Sequence, residues 1–537
     1  MAPRYVIGVD LGTSGARTVL ATTGGRILGH ETARTRLHLL PGGGAEQDPD
    51  DWWAAIRDTL RRLLSRRLAP VGDIAAICLS AQWGGTVPVD AEGRHLHRAL
   101  LWMDGRGAEH SRRLAGGAPR IPGTGYHALR LARWIARSGG APTLTGKDPV
   151  GQSHFLRAAR PEVYERTAYL LDVPEYLTMR LTGRPVAGHD TVALRWCTDN
   201  RTPGAVRYDE RLLRLSGLPR DKLPELVEPA TVVGPIRPAV AAELGLGEHV
   251  QVAAGTGDTT AAAIGAGAVL PYEGHLCVGT SAWLSCHVPR KKTDAWHNVA
   301  ALPSVVPGSY WVATVQDVAG KGIDWLVGNV LGPDAGPSGG EPDPGAREEI
   351  LRRLNRLAAT APPGSNGVVF TPWLNGERTP VDDPTVRGGW FNVSLTTTRA
   401  DLARSTFEGI ALNARWLNES VERFTGRAFP HLNFIGGGAS SPFWCQAMAD
   451  VLGRTIRQVE EPALANARGA ALIAAVALGD LDWPDIAERV AIAAEFTPDP
   501  ANRRVYDRAY ATFRSVYRRT RGIYAAVNAE PRPGPAR

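Results

Sequence analysis

Two stretches far apart in the chain share one grammar. Tyr5–Val9 is an apolar β-type run that ends at Asp10 and enters Leu11-Gly12-Thr13-Ser14-Gly15, after which Val19–Ala21 resumes as a strand. Gly274–Val278 enters Gly279-Thr280-Ser281-Ala282, and Trp283–His287 again reads as a strand. Each unit is a strand, a Gly-Thr-Ser turn and a strand. One unit in each half implies an internal duplication whose two turns face each other across a cleft. At 537 residues the chain exceeds what a single core supports, so two large domains and a tail are expected. The boundaries read as 1–265, 266–490 and a tail, 491–537, that is helical and then disordered. Strands alternating with amphipathic helices put both domains in the α/β class.

Backbone N–H groups in such turns form a nest for anions such as phosphate. Asp10 cannot bind phosphate itself, but a carboxylate there suits a hydrated Mg²⁺, which prefers oxygen ligands and keeps its waters. There is no Gly-Lys-Ser/Thr sequence of a Walker loop, and a plain hairpin turn is an equally good reading of this stretch alone. A second carboxylate lies in Gln251–Gly267, QVAAGTGDTTAAAIGAG. Val250–Ala254 reads as a buried strand, Gly-Thr-Gly as a tight turn, and Thr259–Ala268 as a helix. Asp258, at a strand's exit between glycines and a helix start, is placed for chemistry or for the ordinary role of N-cap.

Further along, the strand Ile74–Leu79 ends in SAQWGG. Gln82, Trp83 and Gly84 there read as a sugar-facing loop or as a turn with Trp83 packed in the core. Asp104 and Arg106 follow the strand Ala99–Met103 and read as hydroxyl ligands or as an ion pair. Residues 107–150 are rich in Arg, Ala and Gly, carry one helix near Tyr126–Ala136, and take no chemical assignment. Glu162–Leu181 reads as a helix broken by Pro174. Pro333–Gly345 is a Pro/Gly/Ser-rich surface loop. The strand His431–Ile435 runs into Gly436-Gly437-Gly438, just before the helix Pro442–Leu452. Three glycines there let backbone lie flat against a nucleotide-like ligand at a helix N-terminus. Asn466–Ala477 is an Ala/Gly helix suited to a hinge.

Composition narrows the class. The formal charge of +7 is carried by arginines spread along helices such as Arg57–Arg67 and Arg503–Arg521. That spread argues against a nucleic-acid partner and leaves attraction for phosphorylated substrates. Five scattered cysteines without a CxxC spacing read as reduced thiols of a cytoplasmic protein. Neither a signal peptide nor an apolar run of membrane-spanning length is legible, so no membrane partner is expected.

Taken jointly, GVDLGTSGAR, EQDPDDWW, LWMDGR, GTGDTTAAAIG, LNGERTP and GGGASSPFWCQAMADVLG resemble the FGGY carbohydrate kinases, of the actin-like ATPase superfamily and nearest their xylulokinase branch. The resemblance spans Val6 to Gly479. It implies two ribonuclease-H-like domains, mixed sheets flanked by helices, and an active site in the interdomain cleft. It further implies ATP and Mg²⁺, a small sugar as phosphoryl acceptor, and leaves a homodimer open. Asp258 then matches the catalytic base and Asp10 the residue that engages Mg²⁺ through water. Thr13 and Ser14 match the first phosphate turn, Gly279, Thr280 and Ser281 the second, and Gly436, Gly437 and Gly438 the adenosine loop. D-xylulose, giving the 5-phosphate, is the first substrate implied, with ribulose, gluconate or glycerol as alternatives and a low-turnover sugar-binding regulator behind them. Three departures stand out. Trp83-Gly84 replaces the sugar-contacting Met-His, the first family signature is not legible around Gln152–Ala158, and Asn392 stands where the second signature has glycine.

Overall fold

The computed structural model describes residues 4–122, 124–332 and 344–528. Most of the loop expected at Pro333–Gly345 and the Pro-rich end from Pro531 lie outside them, though a helix begins at Pro344.

The first sheet is built outward from the opening hairpin. Tyr5–Gly12 pairs antiparallel with Gly15–Thr22, and only Thr13 and Ser14 form the turn. Its other edge takes Ile74–Ala81 in parallel, with Asp10 opposite Ser80. A parallel return needs a crossover, supplied by the helix Pro49–Ser65, which buries Trp52, Trp53, Ile56, Leu60 and Leu63. Asp48 caps that helix and Pro49 occupies its first position. In order, the sheet runs Val232–Pro235, Gln251–Ala253, Ile74–Ala81, Tyr5–Gly12, Gly15–Thr22 and Ile27–Arg34. Thr256–Gly257 makes a further short pairing with Ile74–Ala81.

The second sheet repeats the plan. Gly274–Val278 pairs antiparallel with Ala282–Ser285 and parallel with His431–Ile435, and the crossover is the 27-residue helix Arg399–Thr425. Thr398 and Asp401 close a reciprocal cap at its start. Thr455–Val459 and then Ile492–Phe496 complete the sheet. The described part of the tail therefore belongs to the second domain. Ile492–Phe496 is its edge strand, and the helix Arg503–Asn528 buries Phe513 and Tyr517 against Trp373 and Trp416 and hands the Tyr506 hydroxyl to Glu408.

The break in the predicted Glu162–Leu181 helix is wider than Pro174 alone. A helix ends at Arg166, Tyr169–Leu171 forms a strand, and a new helix runs Val173–Thr182. Pro174 sits in its first turn, where the missing N–H is no loss, behind an Asp172/Glu175 capping box.

Two small-residue helices join the domains. Asp258–Gly265 and Ala465–Ala477 cross so closely that a Cβ on Gly265 would lie 1.7 Å from the Ala465 carbonyl oxygen. One on Gly469 would lie 1.9 Å from that of Ala261. Gly8, in the first sheet, meets the Ala467 carbonyl in the same way. The apolar cluster around the crossing draws Val6, Val19 and Cys78 from the first sheet and Cys277 and Ile435 from the second.

Candidate active site

Side chains hold Thr13 in the first turn, and the Thr35 N–H donates to the Ser14 carbonyl at 3.3 Å. Thr13 Oγ1 donates to Gln82 Oε1 at 2.9 Å and accepts from Trp102 Nε1 at 3.2 Å. Gln47 Nε2 donates to the Thr13 carbonyl at 2.8 Å, and Gln47 Oε1 accepts from Gln82 Nε2 at 2.7 Å. Ser14, at the tip, is exposed.

Backbone holds the second turn. Gly279 N donates to Ser281 O, Ala319 N to Thr280 O and Gly320 N to Gly279 O, at 2.8–3.0 Å. Thr280 is exposed. The glycine loop closes against the strand that leads into this turn. At Gly436, with φ +85°, a Cβ would stand 2.5 Å from Val278 O and 3.1 Å from Cys277 Sγ. Gly438 is buried against Trp444, whereas Gly437 is exposed and would meet nothing. Ser441 then caps the helix Pro442–Leu452, so a helix N-terminus with spare N–H groups lies directly behind the loop.

Between these pieces stand two carboxylates. Asp10 is buried, its Oδ1 accepts from Ser80 Oγ at 3.3 Å, and the Arg17 guanidinium is 4.0 Å from Oδ2. Burial pushes its pKa up, while Arg17, Ser80 and a hydrogen bond with the Asn466 side chain pull it down. Asp258 is the first residue of its helix and Gly257 the N-cap. Its carboxylate therefore does not cap the helix in the expected way, and its Oδ1 accepts from the adjacent Thr259 N–H at 2.8 Å. Burial, and next the charge of Asp10, raise its pKa to about 7, against the pull of that N–H. Burial first, and then the charges of Asp258 and Asp10, push up the Cys277 thiol on the strand of the second hairpin.

The expected sugar-side residues divide. Gln82 is buried with both amide ends committed to Thr13 and Gln47, so it braces the first turn and leaves no amide group for a ligand. Asp104 is fully buried, accepts from Ala45 N at 2.9 Å and pairs with Arg106 at 2.6 Å, so of the two readings the ion pair holds. Gly84 and Gly85 donate their N–H groups to Asp172, at 2.9 and 3.1 Å. Trp83 is half-buried, its Nε1 donates to Thr191 O, and its ring packs on Gly257, next to Asp258. Sequence reasoning missed Asp172, Asn466 and Trp102. The DVPE capping signature and the start of the Ala/Gly helix were the available signals for the first two; Trp102 had none. A cavity of about 610 Å³ lies elsewhere in the first domain, among Arg157, Tyr164, Arg214 and Arg220, and includes none of these groups.

Two α/β domains of one plan, joined at a helix crossing, have the actin-like ATPase fold, and the likeness to sugar kinases makes the chain a phosphotransferase. Residues 5–265 match the N-terminal domain, and 274–478 the C-terminal domain, of the FGGY family of carbohydrate kinases. The chain belongs to that family, and its substrates are accordingly a carbohydrate and ATP. It is 28% identical to the xylulose kinase of Bacillus subtilis over 535 residues, covering 98% of this chain and 99% of that protein. A xyloylose kinase structure from Brucella ovis superposes with a TM-score of 0.82 at 27% identity, covering 97% of this chain and 100% of that one. Gluconate kinase from Lactobacillus acidophilus gives the same TM-score at 21% identity, over 98% of this chain and 100% of that one, a likeness of fold. No described helix is long and apolar enough to cross a membrane.

Proposed function

We propose that the chain transfers the γ-phosphoryl group of ATP to a hydroxyl of D-xylulose, giving D-xylulose 5-phosphate and ADP. The observation that carries the reading is Asp258, a half-buried carboxyl poised near neutrality at the start of a helix that packs on the second domain. A base so tuned is partly ionised at the working pH and still accepts a proton readily. Asp258 takes the proton of the attacking hydroxyl while its oxygen forms the new bond to phosphorus, and the bond to the β-phosphate oxygen breaks with its electrons leaving on ADP. Backbone N–H groups at Thr13–Ser14 and at Thr280–Ser281, in the turn that Gly279 closes, hold the phosphates, and Gly436–Gly438 lie along the adenosine. Positioning and charge neutralisation supply most of the acceleration in such transfers.

Mg²⁺ fits the donor set. Asp10 and Asp258 repel one another, and the nearest described cation, Arg17, is 4.0 Å from Asp10. Asp10 would hold the ion through water, and Mg²⁺ when bound offsets phosphate charge. The setting proposed is the cytoplasm, since the five cysteines are free and buried; no nucleic-acid or membrane partner is invoked, and a homodimer is an open alternative.

The xylulose kinases among the relatives support xylulose as acceptor. A second reading, another ketose, polyol or sugar acid, is favoured by the Gln82–Gly85 loop. It offers an indole face at 83 and no side chain at 84, so hydrogen-bonding partners for the sugar must come from elsewhere. ADP release with Mg-ATP and a panel of xylulose, ribulose, gluconate and glycerol separates the two. Fastest turnover with xylulose is expected; no sugar-dependent release with any member would overturn the proposal.

A further inference from the structure

Arg378 comes from the second domain and reaches the first. Its guanidinium lies 5.7 Å from the ring centroid of Trp102, whose indole N–H donates to Thr13 Oγ1. Nε is 2.9 Å from Asp317 Oδ1, and the side chain keeps about a third of its surface exposed. The loop that presents it is fixed from below. Buried Glu377 accepts from Arg378 N at 2.9 Å, from Asp317 N at 3.1 Å and from Asn413 Nδ2, on the long helix Arg399–Thr425, at 2.6 Å. Asp317 in turn is two residues before Ala319, whose N–H secures the second turn at Thr280. One short path therefore runs from the backbone-held turn, through Asp317 and Arg378, to the indole that steadies the other turn.

We infer that Arg378 is a cross-cleft positioning residue, which stacks on Trp102 and so fixes the first phosphate turn when the domains lie together. The guanidinium can act this way because it is planar and always charged, so it stacks on an indole while its edge stays paired with Asp317. When the domains part, the stacking contact is lost, Trp102 is free to move, and Thr13 loses part of its support. Gln47 and Gln82 still hold Thr13, so the turn is loosened, and it is fully braced only in the closed arrangement. The inference rests on the proposed function in one respect, that Thr13–Ser14 is a phosphate turn.

The test uses the full chain. In Arg378→Ala, amide hydrogen exchange over residues 11–16 speeds up, although the substitution lies in the other domain. Arg378→Ala and Trp102→Phe each lower kcat about 3- to 30-fold, the size of a part-exposed cation–π or hydrogen-bond contact, with KM for ATP within about twofold. The double variant is no worse than the poorer single one, because both act through one contact. Arg378→Lys keeps a cation over the ring and restores part of the protection, and with Trp102→Phe it carries the test if Arg378→Ala does not fold. Unchanged exchange at 11–16, or losses that multiply in the double variant, would overturn the inference. Faster exchange with kcat unchanged supports the coupling and instead removes Thr13–Ser14 from the phosphate site.

Discussion

Thr13 and Thr280 occupy the same place in two hairpins of the same plan, yet they are supported by different kinds of group. Thr13 is held by the side chains of Gln47, Gln82 and Trp102. Thr280 is held by the backbone of Ala319 and Lys321, and Gly279 by that of Gly320. The difference decides what each turn is wired to. Gln82 begins the loop that continues through Trp83 and Gly84, so the first turn shares its bracing with that loop. The second turn is tied to its own domain and to the glycine loop packed on Val278. Two turns of one plan are thus braced in different ways, one through side chains of its own domain and one through backbone.

The largest effect should come from the group between the halves. Asp258→Asn keeps the shape and loses the base, so sugar-dependent ADP release should fall about 10²- to 10⁴-fold with ATP binding retained; an active variant would remove Asp258 from catalysis. Gly320→Ala attacks the second turn through backbone, because its Cβ would sit 2.5 Å from Gly279 O. The expected result is a KM for ATP raised about 10-fold or more with KM for sugar little changed, and equal effects on both would erase the contrast. Gln82→Ala attacks the first turn through its side-chain brace. Loss of two hydrogen bonds should lower kcat/KM for the sugar about 3- to 10-fold each way it is measured, while ATP affinity holds.

The pH profile sharpens the comparison further. Asp258 must be deprotonated to act, so kcat/KM should rise with pH along an acid limb set by its free-enzyme pKa of about 7. Negative charge on Asp10 raises that pKa. Asp10→Asn removes the charge, so the limb should move to lower pH in whatever activity survives, and a limb that stays put would place the titrating group elsewhere. The smallest effect is expected at Thr280, whose hydroxyl is exposed. Thr280→Ala should stay within about twofold in KM for ATP, since backbone, not the side chain, shapes that turn.

Much of this was legible from residue order. The hairpin of Gly274–Val278, the strand His431–Ile435 and the helix Pro442–Leu452 fall where β-type runs, glycines and Ser-Pro cap signals put them. Local chemistry marks such elements because turns and caps need particular residues. Gln82 and Asp104 misled for a physical reason: a polar residue at a strand's end looks alike whether it faces ligand or braces a neighbour. Which it does depends on Gln47 and Thr13, or Arg106 and Glu46, whose approach is tertiary. Asp258 as N-cap failed by one position, since Gly257 takes the extended cap conformation and frees the carboxylate. Pro174 was read as a breaker although DVPE announces a helix start, a signal present but passed over. The edge strand Ile492–Phe496 is half exposed and lacks a continuous apolar run, so nothing local marks it as part of the second sheet.

The glycine crossing of the helices Asp258–Gly265 and Ala465–Ala477 has a mechanical consequence. Its near-contacts are backbone on backbone, at Gly265 and Gly469, and the buried Arg468 guanidinium pins the crossing by donating from Nε and Nη2 to the Gly265 carbonyl at 2.9 and 2.6 Å. Asp258 stands seven residues from Gly265, a lever arm of about 10 Å at 1.5 Å per residue. A turn of about 10° at the fulcrum would swing the carboxylate by about 2 Å, most of the gap between an idle base and one within reach of a hydroxyl. A crossing with no room for even a methyl group thus governs how far the Asp258 end of the helix can swing relative to the second domain.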